Sequence, residues 1–231
     1  MKKIEMPACV IMAGGIGRRL GAITKKTPKP IININGKPFL YYLLIKLKKA
    51  GFKKFLFLLS YKNKKITNFL FEFNKTNKIN YQIFLDKKKN QGTFRSLYSI
   101  YNQLDSKFFY TNADELPSFN IKKAYEKFLK FNSNLFLCLL SSSEGYLEIS
   151  KDKLKLHTES KKKKYKECGF KFIKKKIIKN KFNSNFKLEE ALITNKILKK
   201  TKYVVLSKPP YCVDNTWQLK RTKKFLVNDE K

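Results

Sequence analysis

Short apolar runs alternate along this chain with longer segments in which apolar residues return every three or four positions. Cys9-Val10-Ile11-Met12 is one such run and reads as a strand buried on both faces; residues 55–59 are a second. Between them Leu40, Leu43, Leu44 and Leu47 keep helical spacing, with Pro38 opening the helix and Gly51 ending it. Residues 31–34 predict a short extended piece turned by Asn35-Gly36. A helix over about 64–73, a strand over 79–85 and a strand over 108–111 follow. Before the last of these, Phe94, Leu97, Tyr98 and Tyr101 share one face of a helix, and another helix is expected to start near Ile121. The character then changes. Strands are expected at 135–140, 146–149 and 154–156, one helix over 187–198, a strand at 203–206 and a terminal helix. Strands alternating with helices predict an α/β fold: a doubly wound, mostly parallel sheet with helices on both faces and its ligand at the strands' carboxyl ends. The later strands add a small mixed β subregion.

The first strand breaks at Ala13-Gly14-Gly15-Ile16-Gly17-Arg18-Arg19-Leu20, followed by Pro28-Lys29-Pro30. Small residues allow a tight turn and close approach of backbone to a ligand, and N–H groups beside cationic side chains suit a polyphosphate. Two familiar phosphate loops are excluded. No Gly-Lys-Ser/Thr follows, as a P-loop requires, and Gly15-Ile16-Gly17-Arg18-Arg19 runs into Leu20 rather than the third glycine of the dinucleotide fingerprint. Further on, Gln91-Gly92-Thr93 reads as a glycine turn with Thr93 as helix N-cap. Asp114, at the end of an apolar strand, is either the cap of the helix near Ile121 or a metal carboxylate. Asp214 or Asn215 reads as the N-cap of the terminal helix.

The glycine loop with its downstream Pro-Lys-Pro resembles the signature of the sugar-1-phosphate nucleotidyltransferases, most nearly the short heptose-1-phosphate guanylyltransferases, with Arg18 where that family usually has Thr or Ser. The resemblance covers essentially the whole chain. It implies a single Rossmann-like, GT-A-like nucleotidyltransferase domain over 1–231, with a nucleotide-binding part over 1–134 and an acceptor-binding part plus C-terminal helix over 135–231. It implies that Ala13, Gly14, Gly15, Gly17 and Arg18 border the triphosphate, that Gln91, Gly92 and Thr93 border base and ribose, and that Arg19 and Lys29 are catalytic. Asp114 and Asp214 would bind Mg²⁺, and nucleoside triphosphate and sugar 1-phosphate would be the substrates. Glu159-Ser160-Lys161 weakly matches a segment that faces the sugar phosphate in relatives. Glu167-Cys168-Gly169 stands where the family has Asn-Ala/Gly-Gly before a strand, so the expected Asn is absent. A Gly is likewise replaced by Thr216.

Composition narrows the alternatives. With 42% hydrophobic residues and 20 Phe in 231, the chain can bury a sizeable core. Its net charge of +35 suggests nucleic acid, but Arg stands at only 18, 19, 95 and 221, and Lys supplies the rest. Abundant Lys, Asn, Ile and Phe indicate an AT-rich coding sequence filling solvated faces with Lys, such as Lys161-Lys162-Lys163-Lys164, so no specific nucleic-acid partner is expected. Cysteines at 9, 138, 168 and 212 give no zinc spacing, and the single histidine, His157, excludes a Ser-His-Asp triad. No apolar run approaches ~18 residues and no signal peptide is seen, so no membrane insertion and a cytoplasmic location are expected. Oligomeric state is left open, a homo-oligomer included. Two rivals stand: a non-sugar acceptor such as phosphocholine, with Tyr146, Tyr165 and Trp217 as an aromatic cage, and a degenerate nucleotide-binding protein.

Overall fold

The computed structural model describes residues 4–15, 17–60, 62–87, 91–157, 163–179 and 187–228. Glu159-Ser160-Lys161 and the first half of the Lys161–Lys164 run lie outside them.

The apolar run at the start forms β1 (Ala8–Met12), buried along its whole length. After it come α1 (Ala22–Lys26), the hairpin β2 (Asn33–Ile34) and β3 (Lys37–Pro38), α2 (Phe39–Lys49), β4 (Lys54–Leu59), α3 (Asn63–Asn77) and β5 (Asn80–Leu85). The chain continues through α4 (Thr93–Ser99), β6 (Lys107–Asn112), β7 (Glu115–Leu116), α5 (Ile121–Lys130), β8 (Leu135–Ser141), β9 (Leu147–Ser150), β10 (Lys153–Leu156) and β11 (Tyr165–Lys174). It finishes with α6 (Leu188–Leu192), α7 (Asn195–Leu198), β12 (Lys202–Val205), β13 (Tyr211–Cys212) and α8 (Thr216–Asn228).

Four parallel strands, in the order β5-β4-β1-β6, make the predicted doubly wound centre. Antiparallel β11 extends it, joining β6 to β8 and to the β9–β10 hairpin; β12 pairs β8 in parallel. Alternation along the strands feeds two cores. Cys9 and Ile11 face the side covered by α2, α3, α5 and α8, while Ala8, Val10 and Met12 face the side of α4, α6 and α7. The arrangement is an α/β fold whose central, mostly parallel sheet carries helices on both faces.

Several predicted elements differ in detail. Residues 31–34 are extended only at Asn33–Ile34, because Lys29–Ile31 forms a 3₁₀ turn after Pro28. The helix expected over 187–198 is two short helices, broken where Ile193 leaves helical geometry (φ −92°, ψ 72°) and Thr194 becomes the extended cap of the next. Tyr101 lies in a separate 3₁₀ turn beyond α4. Gly169 does not precede a strand but sits inside β11, at a register shift against β8 between Glu167 and Lys171.

Candidate active site

Everything that follows β1 is set by its parallel neighbours. Ala13 donates its N–H to the Leu58 carbonyl of β4 (2.9 Å), and Ala113, just past β6, donates to the Met12 carbonyl (2.9 Å). Both chain segments therefore leave the sheet side by side at its carboxyl edge. The glycine loop is then pinned from behind: Ser60 donates to the Gly14 carbonyl (2.8 Å), and the buried Thr24 hydroxyl to that of Gly17 (2.9 Å). Lysines of the α3 region, Lys62 and Lys65, donate to the last carbonyls of α1, which lets so short a helix hold its place.

Gly17 has φ +73°, and a Cβ there would come within 2.8 Å of Thr24 Cγ2 and 2.9 Å of Lys29 Cγ. Gly17→Ala is accordingly expected to cost about 1–3 kcal/mol, read as a fall of several degrees in Tm. An unchanged Tm would show that the loop can relax around the methyl group.

Lys29 is only 8% exposed, its stem against Gly17 and its ammonium between two carboxylates. Nζ lies 2.9 Å from Asp114 Oδ2 and also donates to Asp214 Oδ1, while Arg19 Nη2 reaches Asp214 Oδ2 at 3.2 Å. Burial pulls the Lys29 pKa down, but Asp114 and Asp214 outweigh it and the net shift is upward. For Asp114, burial raises the pKa, Lys29 opposes, and Asp214 adds to the rise. Asp214 comes from far along the chain because β13 pairs antiparallel with β7 (Cys212 opposite Glu115), and Val213 then donates to the Asp114 carbonyl at 3.2 Å.

Neither aspartate is a helix cap. Asn120 caps α5 by accepting from Lys123 N–H (2.9 Å), and Asn215 caps α8 by accepting from Gln218 N–H (2.8 Å). Thr93 is not a cap either: Gly92 holds that position, and the Thr93 hydroxyl accepts from Leu188 N–H of α6 (2.8 Å).

One cleft of about 640 Å³ collects the predicted residues. Ala13, Gly14, Gly15, Gly17, Arg18 and Arg19 border it on the loop side. Gln91, Gly92 and Thr93 border it opposite, and Lys29, Asp114 and Asp214 close its floor. A second pocket of about 360 Å³ shares Glu115 and Asp214 with the first and is otherwise bordered by Glu167, Cys168, Tyr211, Trp217 and Arg221, among others. Of the three rings that a phosphocholine acceptor could use, Trp217 borders it and Tyr146 and Tyr165 do not; the Arg221 guanidinium covers Tyr211 and Trp217, at 5.4 and 5.7 Å from the ring centres.

The description of the nucleotidyl transferases matches residues 8–144, more than half of the sequence. The chain belongs to this family. Among its relatives, D-glycero-α-D-manno-heptose 1-phosphate guanylyltransferase of Campylobacter jejuni is 29% identical over 163 residues, 69% of this chain and 70% of that one. The enzyme of the same name from Aneurinibacillus thermoaerophilus is 27% identical over 135 residues, a match spanning 58% of this chain and 58% of the relative. Crystal structures share the fold. HddC from Yersinia pseudotuberculosis matches with TM-score 0.80 and 24% identity, covering 96% of this chain and 100% of that one. A putative glucose-1-phosphate thymidylyltransferase from Bacillus anthracis matches with TM-score 0.81 and 19% identity, covering 94% of each.

Sequence reasoning missed several residues that border this transferase's cleft. Asp86 accepts from Gln91 Nε2 and from the Ser96 hydroxyl, both at 2.6 Å, and so fixes the loop that carries Gly92; burial raises its pKa, and the two hydrogen bonds oppose the rise. Glu115 receives Asn112 Nδ2 and Gly169 N–H, each at 3.0 Å. A Cβ on Gly169 would stand 2.5 Å from Asn112 Nδ2 and 2.6 Å from Glu115 Oε1, which accounts for glycine inside a strand. The pairing of β11 with β6 brings Gly169 to Asn112 and Glu115, and no local spacing announces that contact.

Proposed function

We propose that this nucleotidyl transferase moves a nucleotidyl group from a nucleoside triphosphate to a sugar 1-phosphate, releasing pyrophosphate and forming a nucleotide sugar for surface glycan synthesis in the cytoplasm. The observation that carries the reading is the convergence of the glycine loop, Lys29 and two carboxylates where a triphosphate cleft meets a second pocket. GTP and heptose 1-phosphate are the pair to test first, because relatives bearing that activity in their names align over more than half of the chain.

An acceptor phosphate is already a nucleophile, so its oxygen can attack the α-phosphorus in line while the bond to pyrophosphate breaks, with no base and no covalent intermediate. The chain's contribution is positioning and charge. Gly14, Gly15 and Gly17 offer N–H groups to the phosphates, and Arg19 neutralises the leaving pyrophosphate. Lys29 bridges the α-phosphate and the incoming phosphate, its flanking prolines limiting the loop. Gln91, Gly92 and Thr93 border base and ribose.

The donor set suits Mg²⁺: two carboxylates converge on one position already taken by a cation, the Lys29 ammonium, and phosphate oxygens would complete the shell. Asp114 and Asp214 would hold the metal, which when bound withdraws charge from the α-phosphate oxygens. In the free protein Lys29 competes for that position. Lys29→Ala is therefore expected to tighten Mn²⁺ binding to the nucleotide-free protein by about tenfold, the worth of one displaced charge contact. Equal or weaker Mn²⁺ binding in that variant would show that lysine and metal do not share the position.

Phosphocholine is disfavoured as acceptor, because Arg221 covers Tyr211 and Trp217, the aromatic rings that border the second pocket. The reaction is tested by pyrophosphate release with Mg²⁺, four triphosphates and a panel of sugar 1-phosphates plus phosphocholine. Release with one matched pair, abolished by EDTA, is expected. Triphosphate binding without release from any pair would favour a binding protein instead.

A further inference from the structure

Lys171 stands between Phe170 and Phe172 in β11 and is fully buried, a position where the strand pattern calls for an apolar residue. Its ammonium lies 2.7 Å from Glu167 Oε2, 3.1 Å from Glu189 Oε1 and 5.1 Å from the ring centre of Tyr110, its cross-strand partner in β6. In a regular strand residues four apart stand about 13 Å from each other. The register shift between Glu167 and Lys171 draws this carboxylate and ammonium together.

One lysine thus serves two carboxylates on different elements. Burial drives the Glu167 pKa up to about 7, with Lys171 opposing and Glu189 adding to the rise, while Lys171 itself is held well above the usual lysine range. Glu167 borders the second pocket. Glu189 belongs to α6 and follows Leu188, whose N–H is fixed on the Thr93 hydroxyl at the triphosphate cleft. Contacts therefore run from one pocket wall to the other through Lys171. In a chain with 52 Lys and Arg against 17 Asp and Glu, this second pocket reverses the balance: Glu115, Glu167 and Asp214 face Lys166 and Arg221.

We propose that Lys171 is a positioning residue for both substrates: it holds Glu167 at the acceptor pocket wall and, through Glu189, holds the helix that fixes Thr93 at the nucleotide cleft. The assignment of the two pockets rests on the reaction proposed above. A buried ammonium with only a packing role would gain nothing over methionine, whereas one that sets two carboxylates cannot be exchanged without moving both walls.

The experiment measures, in the full chain with Mg²⁺, the Kd of the triphosphate that the wild type binds most tightly and the KM for heptose 1-phosphate. Glu189→Gln leaves a one-to-one Lys171–Glu167 pair and is expected to weaken triphosphate binding about tenfold while sparing the acceptor KM. Glu167→Gln leaves Lys171 with Glu189 and is expected to do the reverse. Lys171→Met is expected to raise both constants, with kcat changed less than either. Where Lys171→Met fails to fold, the two glutamine variants carry the test, since each keeps a paired lysine. A lowered Tm with both constants unchanged, or an identical loss in both glutamine variants, would overturn the proposal. If the wild type transfers to no acceptor, the proposed reaction fails, while the triphosphate Kd of Glu189→Gln set against Glu167→Gln still decides the positioning role.

Discussion

Lys29→Ala is expected to lower turnover by about 10²-fold or more in protein whose fold is intact, the loss seen when one preorganised electrostatic contact leaves a transferring group. The size follows from how completely the side chain is committed. Its ammonium is buried, meets Asp114 and Asp214 together, and stands on a 3₁₀ turn between two prolines, so no neighbour can take over the position. Arg19, which also reaches Asp214, is largely exposed. Asp114→Asn should lose a similar factor, because an amide keeps the shape and removes the charge. Steady-state rates beside circular dichroism spectra check both. Turnover within a few-fold of wild type in a folded variant would remove that residue from the reaction.

The second large effect concerns stability. Lys171→Met leaves the buried Glu167 carboxylate and the partly exposed Glu189 carboxylate without their shared cation and is expected to destabilise the fold by about 3 kcal/mol in urea denaturation. Adding Glu167→Gln and Glu189→Gln to the same chain should return much of that loss, since the cost lies in the uncompensated charges rather than in the missing ammonium. A triple variant no more stable than Lys171→Met would mean that packing around the lysine stem, not charge, governs the site.

How much of this could be read in the residues differs by element. The loop from Ala13 to Arg19 and the Pro28-Lys29-Pro30 turn were legible because local backbone demands wrote them: glycine where the chain turns sharply after β1, proline where φ is fixed on either side of Lys29. Asp114 and Asp214 were legible as a choice between cap and carboxylate, and Asn120 and Asn215 remove the cap reading by taking the capping bonds themselves. The break between α6 and α7 was missed because β-branched Ile193 and Thr194 are tolerated inside a helix, although Thr is also a favoured cap and takes that position before α7. Lys171 was lost among 52 basic residues; its burial depends on the register of β11 against β6 and β8, which no short window contains. Glu115 shows the same limit, since its partner Gly169 arrives from a strand far along the chain.

The pairing of β7 with β13 also orders events in time. Lys29 and Asp214 meet across 185 residues of sequence, so their contact closes one of the longest loops the fold contains. Long-range closure is slow relative to local structure, and synthesis delivers Asp214 well after β1, β4, β5 and β6 can pair. A growing chain can thus assemble its parallel sheet and glycine loop while Lys29 still lacks its contact with Asp214. On the reaction proposed above, a growing chain gains its second carboxylate only when the two-residue strand β13 docks on β7.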